Sequence, residues 1–253
     1  MSGALFDLSG KGAVVTGANT GLGAAIAVAL AGAGADIAAV GRTNPKETEA
    51  LVRAAGRKLH WIEADLRSAK QATRIVKDCV ERLGGVDVLV NNAGTIKRAD
   101  AVDFSEADWD EVLDVNLKSA FFLAQAAARH MLDTGRRGKI INIASMLSFQ
   151  GGIRVASYTA AKSGLAGLTR LMANEWAAKG INVNAIAPGY FATNNTEALR
   201  NDPTRSRDIL ARIPAGRWGK PEDLGGAAVF LASSASDYVH GTIVAVDGGW
   251  LAR

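Results

Sequence analysis

Short apolar runs alternate with longer alanine-rich or amphipathic segments along most of this chain. The short runs predict β-strands at residues 11–16, 36–40, 59–64, 86–90, 139–144, 181–187 and 242–246. The segments between them predict helices at residues 24–33, 47–55, 68–83, 105–131 and 157–178, and a further helix that starts at Pro221. Strands that alternate with helices in this way favour a parallel sheet.

The run at residues 86–90 is wholly apolar, as expected of a parallel strand that is covered on both faces. No repeat or linker interrupts the alternation. We therefore predict an α/β fold, a Rossmann-like doubly wound parallel sheet of about seven strands with helices on both faces, in one domain over residues 1–253. The polar segment at about residues 190–213 has no clear partner strand and predicts a mobile lid over the site.

Composition narrows the choice of partners and compartment. The net charge is only +4, and no dense run of Lys and Arg indicates a nucleic-acid groove. The single Cys79, in an amphipathic segment, fits a buried thiol in a reducing compartment. The apolar run at residues 24–35 is too short for a membrane span, and the N-terminus lacks a signal-peptide pattern. The three histidines lie far apart, so we expect a cytoplasmic protein without a metal, nucleic-acid or membrane site.

A glycine-rich turn follows the first predicted strand and opens the first predicted helix. This order places free backbone N–H groups and a helix N-terminus at one point, which suits a pyrophosphate. The spacing is G-x-x-x-G-x-G and differs from the usual G-x-G-x-x-G fingerprint. The candidate dinucleotide-binding residues in this turn are Gly17, Asn19, Thr20, Gly21, Leu22 and Gly23.

The second predicted strand bears on the choice between NAD and NADP. An NAD site favours an acidic residue at the carboxyl end of this strand, where it binds the ribose hydroxyls. Gly41 and Arg42 stand there instead, and Asp36 lies at the opposite end. Arg42 can accept a 2′-phosphate or stack on adenine, or it can simply face solvent, so the residues leave NADP open.

Small polar residues also follow the fourth and fifth predicted strands. Asn92, Ala93 and Gly94 follow the fourth, and Ser145 follows the fifth. Because ligands collect outside the carboxyl ends of parallel strands, we expect these residues to face one crevice with the glycine-rich turn. Asn116 lies among apolar neighbours in a predicted helix, where its amide needs hydrogen-bond partners. Asn116 therefore either takes part in the functional site or stabilises a local bend of the helix.

Tyr158 and Lys162 are four residues apart on one face of a predicted helix. An ammonium beside a phenol stabilises the phenolate, so we expect Lys162 to lower the pKa of Tyr158 and make it a general acid and base. Taken alone, a Tyr/Lys pair at this spacing is more often a contact on a helix surface.

Together these motifs resemble the short-chain dehydrogenase/reductase family, and the resemblance covers nearly the whole chain. It rests on residues 16–23, 91–94, Asn116, Ser145, Tyr158 with Lys162, and Pro188-Gly189 followed by Thr193. The resemblance implies that Tyr158 transfers a proton, that Ser145 orients the reacting oxygen, that Lys162 also holds the nicotinamide ribose, and that Asn116 supports a water relay. It further implies cofactor contacts from Asp65, Leu66, Pro188, Gly189, Phe191 and Thr193.

Four further segments, residues 145–155, 182–190, 213–219 and 247–253, resemble members of this family that act on deoxy keto-sugar acids of the 2-dehydro-3-deoxy-D-gluconate type. The resemblance implies an NAD-dependent oxidoreductase of uronate catabolism that interconverts a hydroxyl and a ketone, as a homotetramer. The apolar C-terminus could pack against a neighbouring subunit or within its own chain.

A sugar-acid substrate carries a carboxylate, which a planar arginine side chain binds well. Arg154 is the first candidate for this contact, with Gln150 to bind hydroxyls, and Lys97 and Arg98 come next. Each of these charged residues could equally be an ordinary surface charge. Two alternative functions remain at this point: an NADP-dependent reductase of another small carbonyl compound, and a non-catalytic dinucleotide-binding protein.

Overall fold

The computed structural model describes residues 2–253, and it contains one seven-stranded sheet. The strands are β1 (Gly12–Thr16), β2 (Asp36–Gly41), β3 (Leu59–Glu63), β4 (Val88–Asn91), β5 (Gly138–Ile143), β6 (Ile181–Pro188) and β7 (Ile243–Val246). All neighbouring strands are parallel, in the order β3-β2-β1-β4-β5-β6-β7. The strand order reverses between β1 and β4, and a ligand crevice is expected there in an open α/β sheet.

Ten α-helices accompany the sheet within residues 2–253: α1 (Ser2–Leu5), α2 (Gly21–Gly32), α3 (Lys46–Ala54), α4 (Ala72–Leu83), α5 (Glu106–Leu113), α6 (Ser119–Asp133), α7 (Ala156–Trp176), α8 (Glu197–Asn201), α9 (Pro203–Arg212) and α10 (Gly225–Ala232). None of them combines the length and the apolar character that crossing a membrane requires. The predicted doubly wound fold is confirmed.

The core lies on both faces of the sheet. Successive residues of β1 point to opposite sides, so Ala13 and Val15 join one cluster while Val14 joins the other. Residues of α2, α3 and α10 complete the first cluster, and residues of α4, α6 and α7 complete the second. Cys79 is buried in the second cluster, and burial raises the pKa of its thiol to about 12, which leaves it unreactive.

The long helix predicted at residues 105–131 is interrupted. It begins as predicted, because the Ser105 side chain accepts a hydrogen bond from the Asp108 N–H at 3.2 Å. After α5 the chain makes a π-helical turn at Asp114–Lys118 before α6 continues. Asn116 lies in this turn. The interruption lies at the residue for which the sequence left a local bend of the helix open as one alternative.

The segment predicted to form a lid is folded against the rest of the chain. It contains α8 and α9, and the Asp202 carboxylate caps α9 by accepting from the N–H groups of Thr204 and Arg205, both at 3.0 Å. Ile209 from this segment is buried in a small cluster with Met146 and Trp250. Trp250 therefore packs within its own chain. The mobility of the lid stays a prediction.

Candidate active site

The carboxyl ends of the central strands open into a crevice of about 410 Å³. Every residue that the sequence assigned to the dinucleotide lines it: Gly17, Asn19, Thr20, Gly21, Leu22, Gly23, Arg42, Asp65, Leu66, Asn92, Ala93, Gly94, Tyr158, Lys162, Pro188, Gly189, Phe191 and Thr193. Ser145 lines it as well. Sequence reasoning missed further lining residues, among them Gly41, Thr43, Arg67, Thr95, Glu111, Asn194 and Asn195.

The glycine-rich turn brings its backbone close to the crevice. Gly17 and Gly21 have φ values of 67° and 57°, in the left-handed region that glycine adopts at little cost. A Cβ on Gly23 would lie 2.2 Å from the Gly17 carbonyl oxygen. From the other side, the Thr48 hydroxyl of α3 donates to the Ala18 carbonyl at 2.8 Å. The turn is thus shaped for a close backbone approach, as a pyrophosphate requires.

Thr16 joins the two walls of the crevice, a role that sequence reasoning missed. Its Oγ1 accepts hydrogen bonds from the N–H groups of Asn92 at 3.0 Å and Ala93 at 2.9 Å. In return, the Asn92 amide donates to the Thr16 carbonyl at 2.8 Å. A threonine at the end of a strand, just before the glycines, was the available signal. These bonds fix the loop after β4 against the glycine-rich turn.

Asn116 is buried and does not line the crevice. Its Oδ1 accepts from the Thr95 N–H at 2.7 Å, and its Nδ2 donates to the Thr95 carbonyl at 2.9 Å. Both ends of the amide are therefore engaged by one loop residue beside the crevice. This geometry matches the structural alternative, an amide at a local bend of the helix, and the water relay stays a prediction.

Lys162 is buried at 3% exposure on α7. Its ammonium donates to the Ile143 carbonyl at 2.6 Å, and its nitrogen lies 5.6 Å from the centre of the Tyr158 ring. No carboxylate compensates the charge, so burial lowers the pKa of Lys162 to about 8. The side chain thus reaches the carboxyl end of β5, and it loses its proton more easily than an ordinary lysine does.

The prediction that Lys162 lowers the pKa of Tyr158 was wrong. Burial raises the pKa of Tyr158 above its usual value, and this is the largest effect. The groups that act in the opposite direction are the Ser145 hydroxyl, as a hydrogen-bond partner, and the Arg98 charge. The reason is physical: desolvation disfavours the charged phenolate, and the Lys162 charge is not among the effects that oppose it.

Ser145 is held in place by its own turn. The Leu147 N–H donates to Ser145 Oγ at 3.2 Å, which leaves the hydroxyl proton of Ser145 free to point elsewhere. The Ser148 hydroxyl donates to the Lys162 carbonyl at 2.8 Å and joins this turn to α7. The serine and the Tyr158–Lys162 pair are therefore positioned by direct contacts between the same two segments.

A buried amide network supports this junction from behind. The Asn91 amide donates to Asn142 Oδ1 at 3.0 Å, and the Asn142 amide donates to the Thr169 hydroxyl at 2.9 Å. Thr169 follows Lys162 by two turns on the same side of α7. Because all three side chains are buried and hydrogen-bonded, they fix β4, β5 and α7 relative to one another.

The adenine end of the crevice carries mainly positive charge. Arg67 hydrogen-bonds the Asp65 carboxylate and lowers its pKa to about 2, and the Arg42 charge acts in the same direction. Asp65 is therefore paired. Nothing lies within 4 Å of a Cβ built on Gly41, so the end of β2 is open beside Arg42.

The residues predicted to bind substrate lie outside this crevice. Arg154 has a φ of 62° and forms an ion pair with Asp100 at 3.0 Å, while Lys97 pairs with Glu111 at 2.9 Å. Gln150 lines a different cavity. Arg98, a second choice together with Lys97, is the cation whose charge acts on the pKa of Tyr158, and it donates to the Asn195 carbonyl at 3.2 Å.

Comparison with known proteins agrees with this geometry. A family model described as enoyl-(acyl carrier protein) reductase matches residues 17–251. The 2-dehydro-3-deoxy-D-gluconate 5-dehydrogenase of Escherichia coli (strain K12) is 61% identical to this chain, and the match covers 98% of each protein. The enzyme of the same name from Bacillus subtilis (strain 168) is 57% identical, and the match covers 98% of this chain and 97% of that one. A crystal structure from Agrobacterium tumefaciens, described as a candidate 2-deoxy-D-gluconate 3-dehydrogenase with bound NADP, superposes with a TM-score of 0.95 at 61% identity, covering 98% of this chain and 99% of that one.

The chain belongs to the short-chain dehydrogenase/reductase family. It is an NAD(P)-dependent oxidoreductase, and the two leading features of the crevice fit such a cofactor. The glycine-rich turn at Gly17–Gly23 lines the crevice, and it is packed so tightly that a Cβ on Gly23 would collide with the Gly17 carbonyl and the Asn92 amide. Tyr158, Lys162 and Ser145 line the same crevice.

We expect Gly23→Ala to weaken nucleotide binding about tenfold or more, equivalent to at least about 1.4 kcal/mol. The added methyl group would collide with the Gly17 carbonyl oxygen and push the turn into the crevice. Titration of intrinsic fluorescence with NADPH and NADH measures the effect. Gly32→Ala, in the same helix with nothing within 4 Å of the added Cβ, is the matched control and should bind normally. Equal affinity in both variants would contradict this account of the turn.

The lowered pKa of Lys162 predicts a pH-dependent stability. Its pKa is about 8 in the folded enzyme and 10.5 unfolded, so between these values the unfolded chain binds more protons. The cost of burying the ammonium is complete below pH 8 and disappears as the pH rises toward 10.5. The free energy of unfolding of Lys162→Met relative to the parent should therefore fall by up to roughly 3 kcal/mol from pH 7 to pH 10.5.

Urea unfolding at several pH values measures this difference. Lys179→Met removes an exposed lysine and should show little pH-dependent difference from the parent. A Lys162→Met difference that stays constant across the range would show that the ammonium is not desolvated in the folded enzyme.

Proposed function

We propose that this enzyme interconverts a hydroxyl and a ketone on a deoxy keto-sugar acid of the 2-dehydro-3-deoxy-D-gluconate type, in uronate catabolism. The observation that carries the proposal is the Arg98 cation: it has no ion-pair partner among residues 2–253, it donates to the carbonyl of the crevice residue Asn195, and its charge lowers the pKa of Tyr158. A substrate whose carboxylate binds Arg98 would place a carbon of its chain at Tyr158. The names of the similar enzymes support the same substrate class.

Each residue of the site has a distinct task in this reaction. The nicotinamide supplies or accepts the hydride when the cofactor is bound. Tyr158 gives its proton to the ketone oxygen in reduction and takes it from the alcohol in oxidation. Ser145, whose oxygen is occupied by the Leu147 N–H, donates its own proton to the same substrate oxygen and stabilises developing negative charge.

Lys162 serves this reaction through its unused donors. One of its three N–H groups is engaged by the Ile143 carbonyl, which leaves two for ribose hydroxyls. We also assign Asn116 an indirect part, because its amide holds Thr95 at the edge of the crevice. Arg98 replaces Arg154 and Lys97 as the proposed carboxylate partner, since both of these are already paired with carboxylates.

The cofactor proposal follows from the end of β2. We propose that the crevice accepts both nicotinamide dinucleotides and that Arg42 favours the 2′-phosphate of NADP. Arg42 stands where an NAD-selective site would place an acid, and the nearest carboxylate, Asp65, is paired with Arg67. The solved relative with bound NADP supports this choice. Selectivity for NAD stays a prediction.

A homotetramer in the cytoplasm is also part of this proposal. Three large apolar side chains on α5, α6 and α7 are substantially exposed in the single chain: Trp109 at 41%, Phe122 at 38% and Leu171 at 46%. Exposed apolar groups of this size favour contact between subunits.

The direct test is an assay of deoxy keto-sugar acids and unrelated ketones with NADH and NADPH. We expect turnover of the sugar acids. Tyr158→Phe should reduce kcat about 10²- to 10⁴-fold and leave nucleotide affinity unchanged, because phenylalanine keeps the ring and lacks only the hydroxyl that transfers the proton. Full activity in Tyr158→Phe would contradict the proposed mechanism. Turnover of neutral ketones in preference to sugar acids would contradict the proposed substrate class.

Arg98→Met should have two effects that appear together. The KM for the sugar acid should rise about tenfold or more, because a charged hydrogen-bond partner is lost. The pH profile of kcat/KM for alcohol oxidation should shift to higher pH, because a charge that lowers the pKa of Tyr158 is removed. Arg154→Met is the comparison variant. A raised KM in Arg154→Met with an unchanged KM in Arg98→Met would contradict this assignment and show that Arg154 binds the substrate carboxylate.

Arg42→Met should lower NADPH affinity about tenfold or more and leave NADH affinity nearly unchanged, because only NADPH carries the additional phosphate. Equilibrium titration with each nucleotide measures the ratio. Parallel losses for the two nucleotides would show that Arg42 contacts the adenine instead of the phosphate.

A further inference from the structure

The turn at residues 191–196, which we call the strap, follows β6 and borders the crevice. Five of its residues line the crevice: Phe191, Thr193, Asn194, Asn195 and Thr196. Its first end is anchored in the rest of the chain, because Phe191 is buried and forms a β-bridge with Gly219. The Ala192 N–H donates to the Gly219 carbonyl at 2.8 Å and strengthens this anchor.

The strap approaches two other walls of the crevice. A Cβ built on Gly21, the first residue of α2, would lie 3.5 Å from the Thr193 methyl group. Two residues later, the Asn195 carbonyl accepts a hydrogen bond at 3.2 Å from Arg98, in the segment after β4. Because a pyrophosphate binds at a helix N-terminus, Thr193 lies beside the position expected for the pyrophosphate of the dinucleotide.

Arg200, on α8, holds the strap at Thr193. Its Nη2 donates to the Thr193 carbonyl at 3.2 Å. Its Nε is buried and has no hydrogen-bond partner in the part of the chain that the structure describes. No carboxylate among residues 2–253 forms an ion pair with this guanidinium. A partly desolvated cation is thus left without a compensating charge in the protein.

The strap has other hydrogen bonds that keep it folded. The Thr196 N–H donates to the Thr193 carbonyl at 3.1 Å, so this carbonyl has a second donor besides Arg200. The Thr196 hydroxyl donates to the Phe191 carbonyl at 2.5 Å, and the Thr193 N–H donates to the same carbonyl at 3.0 Å. The strap therefore does not require the Arg200 charge, whereas a partly buried charge without a counter-ion costs free energy.

We propose that Arg200 is a positioning residue for the pyrophosphate of the dinucleotide. It acts through Thr193, which it holds beside the N-terminus of α2, because Arg200 itself does not line the crevice. Its charge favours the bound cofactor, since the negative pyrophosphate supplies the compensation that the protein lacks. This role depends on the NAD(P) cofactor alone and holds for any substrate of the enzyme.

The test is calorimetric titration of the full-length enzyme with NADH, NADPH and ADP-ribose, which all contain the pyrophosphate. Arg200→Met should weaken the binding of all three about tenfold and by similar factors, because a charge that favours their common group is lost. Arg42→Met, in contrast, is expected to affect NADPH alone. Arg207→Met is the matched control: it removes an exposed cation that is paired with Asp208, and it should bind all three normally.

Two further variants separate the charge of Arg200 from its hydrogen bond. Arg200→Lys restores a cation and should recover part of the affinity for all three nucleotides. Arg200→Gln offers an uncharged donor and should bind them as weakly as Arg200→Met does. Equal recovery in both variants would show that the hydrogen bond alone matters and would overturn the proposed role of the charge.

The melting temperature of the enzyme without nucleotide distinguishes this role from a structural one. It should be unchanged or raised in Arg200→Met, because the variant removes a charge without a counter-ion and leaves the other hydrogen bonds of the strap in place. A lowered melting temperature with unchanged nucleotide affinity would show a purely structural role and overturn the inference. A loss confined to NADPH would also overturn it, as would a loss that spares ADP-ribose.

Discussion

The site depends on one constraint, the burial of a lysine ammonium against a single carbonyl. Lys162 has the Ile143 carbonyl as its protein partner and no carboxylate to compensate its charge. Burying a charge in this way is costly, and the surrounding structure must prevent the side chain from rotating toward water. The buried hydrogen bonds from Asn91 through Asn142 to Thr169 do this by fixing α7 against β5.

This arrangement affects the charge of both members of the pair. Desolvation raises the pKa of Tyr158 and lowers that of Lys162, so both groups are biased toward their neutral forms. The groups that favour the phenolate, Ser145 and Arg98, come from other segments of the chain. In the proposed mechanism the acid–base chemistry therefore depends on four side chains, of which the Tyr/Lys spacing on the helix predicts only two.

The sequence predicted the fold and the dinucleotide crevice because both depend on short-range signals: apolar runs mark the strands, and small residues mark the strand ends that meet at one edge of the sheet. It failed where the outcome depends on contacts between distant segments. The partner of the Asn116 amide is Thr95, on a loop 21 residues earlier, and Arg154 forms an ion pair with Asp100 outside the crevice. The direction of the pKa shift of Tyr158 depends on burial, which no local pattern records.

The most direct test of this account is an NMR titration of the ligand-free enzyme labelled at the tyrosine ζ carbon. The chain contains three tyrosines, so the spectrum is simple, and the spectrum of Tyr158→Phe assigns the resonance. The account predicts that Tyr158 titrates above the usual tyrosine pKa of 10.0, because burial outweighs the neighbouring charges. A Tyr158 resonance that titrates near neutral pH in the absence of ligands would contradict it.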